Sequence, residues 1–290
     1  MILFFGSWEC FYSKTIPIGA NDIFSAQRNL FSIMKIASFN VNGIRARLPI
    51  VREWLVKEKP DIICLQETKV RDSEFPKEVF DELGYFLAFR GEKGYNGVAI
   101  VCQWPLTDVC FGFGDGDYRE EVRIITAAIG NLTIVNTYVP QGFAPDSEKF
   151  RYKLEWFHRL YDYFSLTFKP DAPLLWVGDF NVAPEPRDVY DPKGLFGRIG
   201  FHPDEHSALA QVKKWGFVDV FRKYEQGEGF YTFWDYRVPQ AVKRGLGWRI
   251  DHIWATSCLA EKLVCASIDR ALRLAKKPSD HTVIWAEFKI

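Results

Sequence analysis

Acids, amides and one imidazole recur in this sequence at the places where apolar runs stop. Asn40 and Asn42 follow KIASF, and Gln66, Glu67, Thr68 and Lys69 follow IICL. The run TIVNTYV carries Asn136 and Tyr138 and leads to Gln141, while LLWV leads to Asp179 and Asn181. Toward the C-terminus the order inverts: Asp251 begins DHIWA, and Ser279, Asp280 and His281 precede TVIWAEF. Glu67 and Asp280 are hard oxygen ligands, suited to Mg2+ or Mn2+ rather than zinc. Mg2+ uses one or two carboxylates, keeps several waters and takes a substrate phosphate. Asp179 could orient or deprotonate a water, with Asn181 donating to the attacked group and Tyr138 to a phosphate oxygen. His281, held by an acidic partner such as Asp251, would keep one tautomer and stay positive against an oxyanion. There is no G-x-S-x-G elbow, no cysteine with an obvious base and no Walker-type glycine loop before a lysine. Metal-assisted attack by water on a phosphodiester fits these residues best.

Each residue alone has a bland explanation: Asn40 could satisfy loop backbone, Glu67 could be a solvated strand end, Asp179 could cap a turn. Their joint placement is what needs elements to explain it. KIASFNV, DIICLQE, YFLAFR, GVAIVC, RIITAAIG, NLTIVNTYV, APLLWVGDFN, WRIDHIWA and HTVIWAEFKI read as strands. PIVREWLVKEK reads as a helix with Pro49 near its start, KEVFDELG as a short helix, and HSALAQVKKWG as a helix closed by Gly216. The long helix SEKFRYKLEWFHRLYDYFSLTF is capped by Ser147, with Pro170 beyond its end. IICL and LLWV lack polar alternation, so both of their faces must be covered. Two packed sheets with helices outside would do this. If the last two strands run antiparallel to the earlier ones, their starts share an edge with the others' ends, and all the polar residues meet on one rim.

The bulk composition sets limits. The chain has 290 residues, 48% of them hydrophobic, enough for one large core. Lys plus Arg equals Asp plus Glu at 37 each, so a polyanionic partner would have to be met by positive charge gathered on one face. The six cysteines form no C-x-x-C pair and no zinc spacing, which suits free thiols in a reducing compartment, and a cytoplasmic location is expected. No apolar run reaches the length of a membrane span, so no membrane partner is expected. Of the two methionines, Met34 opens the first strong strand. Residues 1–33 are therefore expected to be an N-terminal extension, disordered or a gene-start artefact, ahead of a catalytic domain over 34–290.

The segments SFNVNGIRA, PDIICLQETKV, NTYVPQG, VGDFNVAP, GWRIDHIWA and KPSDHTVIWAEF closely resemble the exonuclease III family of apurinic/apyrimidinic endonucleases, in order and with compatible spacing, from about residue 34 to the C-terminus. The resemblance implies an α/β fold, a four-layer α-β-β-α sandwich of two packed mixed sheets like that of DNase I. It implies a DNA-repair hydrolase that cuts the phosphodiester 5′ to abasic sites in double-stranded DNA and leaves a 3′-hydroxyl, with 3′→5′ exonuclease and 3′-end-cleaning activity beside it. Carried over by motif, Glu67 is the main metal ligand with Asn40 and Asp280 nearby, and Mg2+ is the cofactor, Mn2+ substituting. Asp179 activates water with Asn181, Tyr138 serves the phosphate, and His281 contacts phosphate, oriented by Asp251. Phe233, Trp248 and Ile250 match an apolar pocket for the flipped-out abasic sugar, which a full nucleotide could not enter. Arg45, Lys69, Tyr95, Gln141 and Arg237 are expected to touch the DNA around it, on a monomeric enzyme. One departure is Asn42, where some relatives hold Asp. The superfamily also contains lipid and inositol phosphodiesterases, against which GFYTFWDYR and GWRID speak. A DNA-binding module without catalysis would not need the complete set of acids, amides and imidazole.

Overall fold

The structure, a computed structural model, describes residues 33–117 and 120–290. The expected N-terminal extension lies outside the described residues except for Ile33, which already pairs with Lys289. The first half of the chain runs β1 (Ile33–Asn40), α1 (Ile44–Glu58), β2 (Ile62–Gln66), α2 (Lys77–Glu82), β3 (Phe86–Arg90), β4 (Val98–Cys102), β5 (Thr107–Phe111), β6 (Ile124–Ile129), β7 (Leu132–Tyr138) and α3 (Glu148–Thr167). The second half runs β8 (Leu174–Asp179), α4 (Pro192–Leu195), α5 (Pro203–Lys214), β9 (Phe217–Asp219), α6 (Val220–Tyr224), α7 (Ala241–Arg244), β10 (Asp251–Thr256), α8 (Ser257–Ala260), β11 (Leu263–Asp269) and β12 (Val283–Lys289).

The strands form two six-stranded mixed sheets, in the orders β11-β12-β1-β2-β4-β3 and β5-β6-β7-β8-β10-β9. Alternate residues of each strand feed different apolar layers. Ile36, Ile62, Cys64 and Ile100 meet Ile125, Ile134, Val177 and Ile253 between the sheets. Ala37, Ile63 and Leu65 turn outward onto Trp54 and Leu55 of α1 and Phe80 of α2. On the far side, Val135 and Trp176 turn outward onto Trp156, Phe157 and Leu160 of α3 and Leu209 and Val212 of α5. Three apolar layers between four layers of structure explain why IICL and LLWV show no polar alternation.

Strand direction brings the polar ends together. β1 and β2 are parallel, as are β7 and β8. β12 is antiparallel to β1, and β10 is antiparallel to β8 with Asp251 opposite Asp179. Gly178 permits the close of β8: a Cβ there would lie 2.0 Å from the Thr137 carbonyl oxygen. Ser147 caps α3 as expected, accepting from the Phe150 N–H at 3.1 Å. Two helix starts differ from expectation. α1 begins before Pro49, at Ile44, because the backbone N–H groups of Gly43 and Ile44 bond the carbonyls of Glu67 and Thr68, so the loop after β2 serves its free first turn. α5 begins at Pro203, where His202 and Glu205 form a capping box.

Candidate active site

At the shared rim the side chains converge around Asn40, which is fully buried at the end of β1. Its Nδ2 donates to Glu67 Oε1 and to Asp179 Oδ2, each at 2.8 Å, and so joins the two sheets. Its Oδ1 accepts from the Asn42 N–H at 3.0 Å. Asp179 Oδ1 accepts from the Asn181 backbone at 2.9 Å, and Asn181 Nδ2 donates to Asp179 Oδ2 at 3.2 Å and to the Val139 carbonyl at 2.9 Å. His281 Nδ1 donates to Asp251 Oδ2 at 2.8 Å, which turns Nε2 toward Asp179 Oδ2, 3.8 Å away. Ser279 Oγ fixes the start of this segment by donating to the Asn40 carbonyl at 2.8 Å and accepting from the His281 N–H at 3.2 Å. Ligand atoms of Glu67, Asp179 and His281 all lie within 4.8 Å of one another. Asn42, Glu67, Lys69 and Asn181 all have positive φ, between 44° and 55°. Left-handed backbone at non-glycine residues is costly and gathers at functional sites.

Burial sets the charge states. Burial raises the Asp179 carboxyl well above its usual range, with Asp251 and Glu67 adding to the rise and His281 opposing it. Burial works against the charge on His281, but the carboxylates of Asp251 and Asp179 outweigh it and push its pKa up to about 10. Its two ring nitrogens therefore both carry protons near neutral pH. Burial likewise opposes the Glu67 charge, and Lys69, with Nζ 2.6 Å from Glu67 Oε2, holds its pKa below the usual value. Burial and the nearby Glu67 and Asp179 charges raise the Tyr138 hydroxyl well above its usual pKa, so it stays a donor; it hydrogen-bonds Glu67 and its ring lies under Arg123.

The recess fits a hard divalent cation. Glu67 and Asp179 offer carboxylate oxygens, and the negative charge of Glu67, Asp179 and Asp251 exceeds the positive charge of Lys69 and His281 beside them. Asp251 Oδ1 is buried without a hydrogen-bond partner. A protonated His281 faces this recess as a donor rather than as a ligand.

Beside the imidazole lies an apolar patch. The Phe233 ring is 4.9 Å from the His281 ring, and Phe233 pairs through its backbone with both Trp248 and His281. Phe233 and Trp248 pack with buried Ile250, Val189 and Phe201. The three residues expected to form a sugar pocket are thus neighbours, adjoining the ionisable cluster. Beneath them Arg249 is fully buried, bonding Asp188 at 2.7 Å, Asp219 at 2.8 Å and His252 Nδ1 at 2.9 Å, while Arg222 also bonds Asp188.

Other expected contacts fall further out. Tyr95 is 73% exposed at the tip of the β3–β4 turn. Arg45 and Arg237 are exposed and pair with Glu74 and Asp235. Gln141 is exposed, and its side-chain oxygen accepts from the Phe143 N–H at 2.7 Å. Lys69, expected to touch DNA, is half-buried at the edge of the recess, with Nζ 2.6 Å from Glu67 Oε2 and bonded to Asn42. Asp280 stands a step outside the central trio, with Oδ1 accepting from Asn42 Nδ2 at 2.9 Å. An amide at position 42 can make that bond, whereas an ionised Asp there would repel Asp280. Gln66 and Asn136, read only as strand-end amides, lie fully buried and bond each other across the sheets at 2.7 Å. Lys153 and Glu205 are buried residues the sequence reading missed; the available signal was that Lys153 interrupts the apolar face of α3 between Phe150 and Phe157.

Likenesses to known proteins bear on this site. A model of the endonuclease/exonuclease/phosphatase family matches residues 37–281. Exodeoxyribonuclease III of Haemophilus influenzae is 35% identical over 268 residues, covering 88% of this chain and 100% of that protein. Among solved structures, an AP endonuclease from Archaeoglobus fulgidus superimposes with a TM-score of 0.86 at 49% identity, covering 89% of this chain and 100% of that one. The 3′ phosphatase NExo from Neisseria, bound to a product DNA hairpin, superimposes with a TM-score of 0.83 at 35% identity, covering 88% of this chain and 99% of that one.

Proposed function

Because the chain belongs to the endonuclease/exonuclease/phosphatase family, we propose that it is a DNA-repair nuclease that hydrolyses the phosphodiester 5′ to an abasic site in duplex DNA and leaves a 3′-hydroxyl. The convergence of Glu67, Asp179 and His281 at one buried recess carries this reading. The family is metal-dependent. Glu67, supported by Asn40 and with Asp280 in reserve, would hold Mg2+, for which Mn2+ would substitute, and the ion would supply charge neutralisation at the phosphate.

The chain's own groups do the rest. Asp179, oriented by Asn40 and Asn181, accepts a proton from the attacking water; a carboxylate whose pKa is raised by burial is a stronger base than an exposed one. His281, positive and aimed by Asp251, donates to a phosphate oxygen as charge develops, and Tyr138 adds a neutral donor. Phe233, Trp248 and Ile250 receive the base-less sugar, and extrusion is cheapest where pairing is already lost. Arg45, Tyr95, Gln141 and Arg237 contact the flanking duplex, on a protein that works as a monomer. 3′→5′ exonuclease and 3′-end-cleaning activities would use the same recess. No helix among the described residues is long and apolar enough to cross a membrane.

The test is an abasic duplex in Mg2+, in Mn2+ and in EDTA, beside an intact duplex and a phosphoinositide, with end analysis of the products. Cleavage of the abasic strand with a 3′-hydroxyl, abolished by EDTA, is expected. Hydrolysis of the phosphoinositide alone would overturn the reading.

A further inference from the structure

One fully buried cation near the site, Lys153, belongs to no step above. Lys153 projects from α3, at 0% side-chain exposure, and its Nζ sits among three oxygens from three separate elements. It donates to the Asn181 carbonyl at 2.8 Å, to the Gln141 carbonyl at 3.3 Å and to Glu205 Oε1 of α5 at 2.5 Å. Glu205 is itself fully buried, and its second oxygen accepts from the His202 N–H at 3.1 Å. The lysine stem passes close to Gly142, where φ is +93° and a Cβ would lie 2.7 Å from Ile199 Cδ1 and 3.0 Å from Lys153 Cδ. The loop after β7 thus packs tightly against both side chains.

Sequestering a lysine costs several kcal/mol even when it is paired, and an apolar replacement of both partners is often as stable or more so. Core stability alone therefore does not account for a lysine here. What an apolar side chain could not do is hold two backbone carbonyls. One belongs to Asn181, whose left-handed backbone (φ 52°) places its amide on Asp179; the other belongs to Gln141, two residues after Val139, which accepts from that same amide.

We propose that Lys153 is a positioning residue for catalysis: by tying the carbonyls of Asn181 and Gln141 to α3 and α5, it fixes the Asp179–Asn181 turn against the loop after β7. The lysine touches no substrate and exchanges no proton in the reaction. It holds Asn181 Nδ2 where it orients Asp179, so its loss should slow the chemical step by far more than it weakens duplex binding. This inference rests on the nuclease reading above.

The experiment compares the full chain with Glu205→Gln, with Lys153→Met/Glu205→Gln and with Lys153→Gln/Glu205→Gln. Removing the charge at position 205 as well avoids stranding a buried carboxylate. Single-turnover cleavage of an abasic duplex in Mg2+, Kd for that duplex and thermal midpoint are measured for each. The Met double variant is expected to melt within a few degrees of Glu205→Gln and to bind the duplex within about twofold, yet to cleave roughly tenfold more slowly. The Gln double variant, whose amide nitrogen hangs one bond short of the ammonium position, should fall between them. If the Met variant fails to fold, the Gln variant decides alone. A folded double variant that cleaves as fast as Glu205→Gln, or one that slows only in proportion to lost binding, overturns the proposal. If the unmodified chain does not cut DNA at all, it is the nuclease reading that falls.

Discussion

Two clusters of buried ionisable groups lie close together in this protein, and they are built on opposite principles. In the cluster of Asp188, Asp219, Arg222, Arg249 and His252, every carboxylate meets a guanidinium. Burial alone would raise the pKa of Asp188, but Arg249 and Arg222 hold it at about 2. His252 is kept neutral, its pKa pushed down to about 3 by burial and by Arg249, so it accepts from Arg249 and donates to the Val182 carbonyl. In the rim cluster of Glu67, Asp179, Asp251 and His281, the acids outnumber their partners. Asp179 titrates high and one oxygen of Asp251 is left unpaired. The matched cluster anchors the segment just before β10 that carries Trp248 and Ile250; the unmatched one keeps charge in reserve for a cation and a phosphate. Complete pairing marks a structural role, and retained imbalance marks a functional one.

That contrast predicts that the same kind of substitution will have opposite outcomes in the two places. Glu67→Gln or Asp179→Asn should lower turnover on an abasic duplex by about a thousandfold or more, as loss of groups acting on the transition state does. Because Asp179→Asn removes a carboxylate that burial disfavours, its thermal midpoint should hold steady or rise, whereas Glu67→Gln gives up the pairing with Lys69 and should melt slightly lower. A fall of many degrees in calorimetry would count against an unmatched rim. Arg249→Met should do the reverse at the level of folding, leaving Asp188 and Asp219 short of partners and costing about 3–5 kcal/mol in urea unfolding. A loss below about 1 kcal/mol would show that the matched cluster is not a mutual anchor.

A pH titration sharpens the comparison. The unfolded chain protonates its histidine near the ordinary value of 6.5, while folded His252 resists until about 3. Over that window the unfolded state holds the extra proton at this site, so the His252 contribution to stability should fall as pH falls, by up to about 1.4 kcal/mol per unit, while Asp179, whose carboxyl burial raises, contributes in the opposite sense. Asp188 adds stability that is full above its unfolded value of 3.8 and is lost as pH falls toward about 2. His252→Gln keeps a donor and an acceptor but cannot titrate, so its urea midpoint should rise relative to that of the unmodified chain as pH falls from 7 to 4. A constant difference across that range would remove His252 as a source of pH dependence. The smallest effects belong to the periphery. Arg45→Ala or Arg237→Ala should weaken duplex binding a few-fold and lower the log–log salt slope by about one, leaving single-turnover cleavage near its original rate. A salt slope unaltered in both variants would take these residues off the DNA path.

Local pattern carried much of this structure. Apolar runs announced nine of the twelve strands among the described residues, missing the short or partly exposed β5, β9 and β11; Ser147 announced α3, and the inverted order of Asp251 and His281 implied antiparallel return strands whose starts join the other strands' ends. The failures share a cause. Pro49 suggests a helix start in one dimension; the first turn of α1 instead borrows its partners from the loop after β2, some two dozen residues further along. Lys153 looks like an ordinary helix charge until α5 brings Glu205 against it.

By itself, then, the sequence determined which residues are apolar, which are ligands or donors, and how strand and helix alternate, since those depend on side-chain chemistry and on neighbours a few positions away. Only the tertiary structure decided which charges find partners: that Asp188 meets Arg249 across 61 positions while Asp251 keeps an unbonded oxygen. Electrostatic energy depends on distance in space and on exclusion of water, and neither is fixed until the two sheets close on each other.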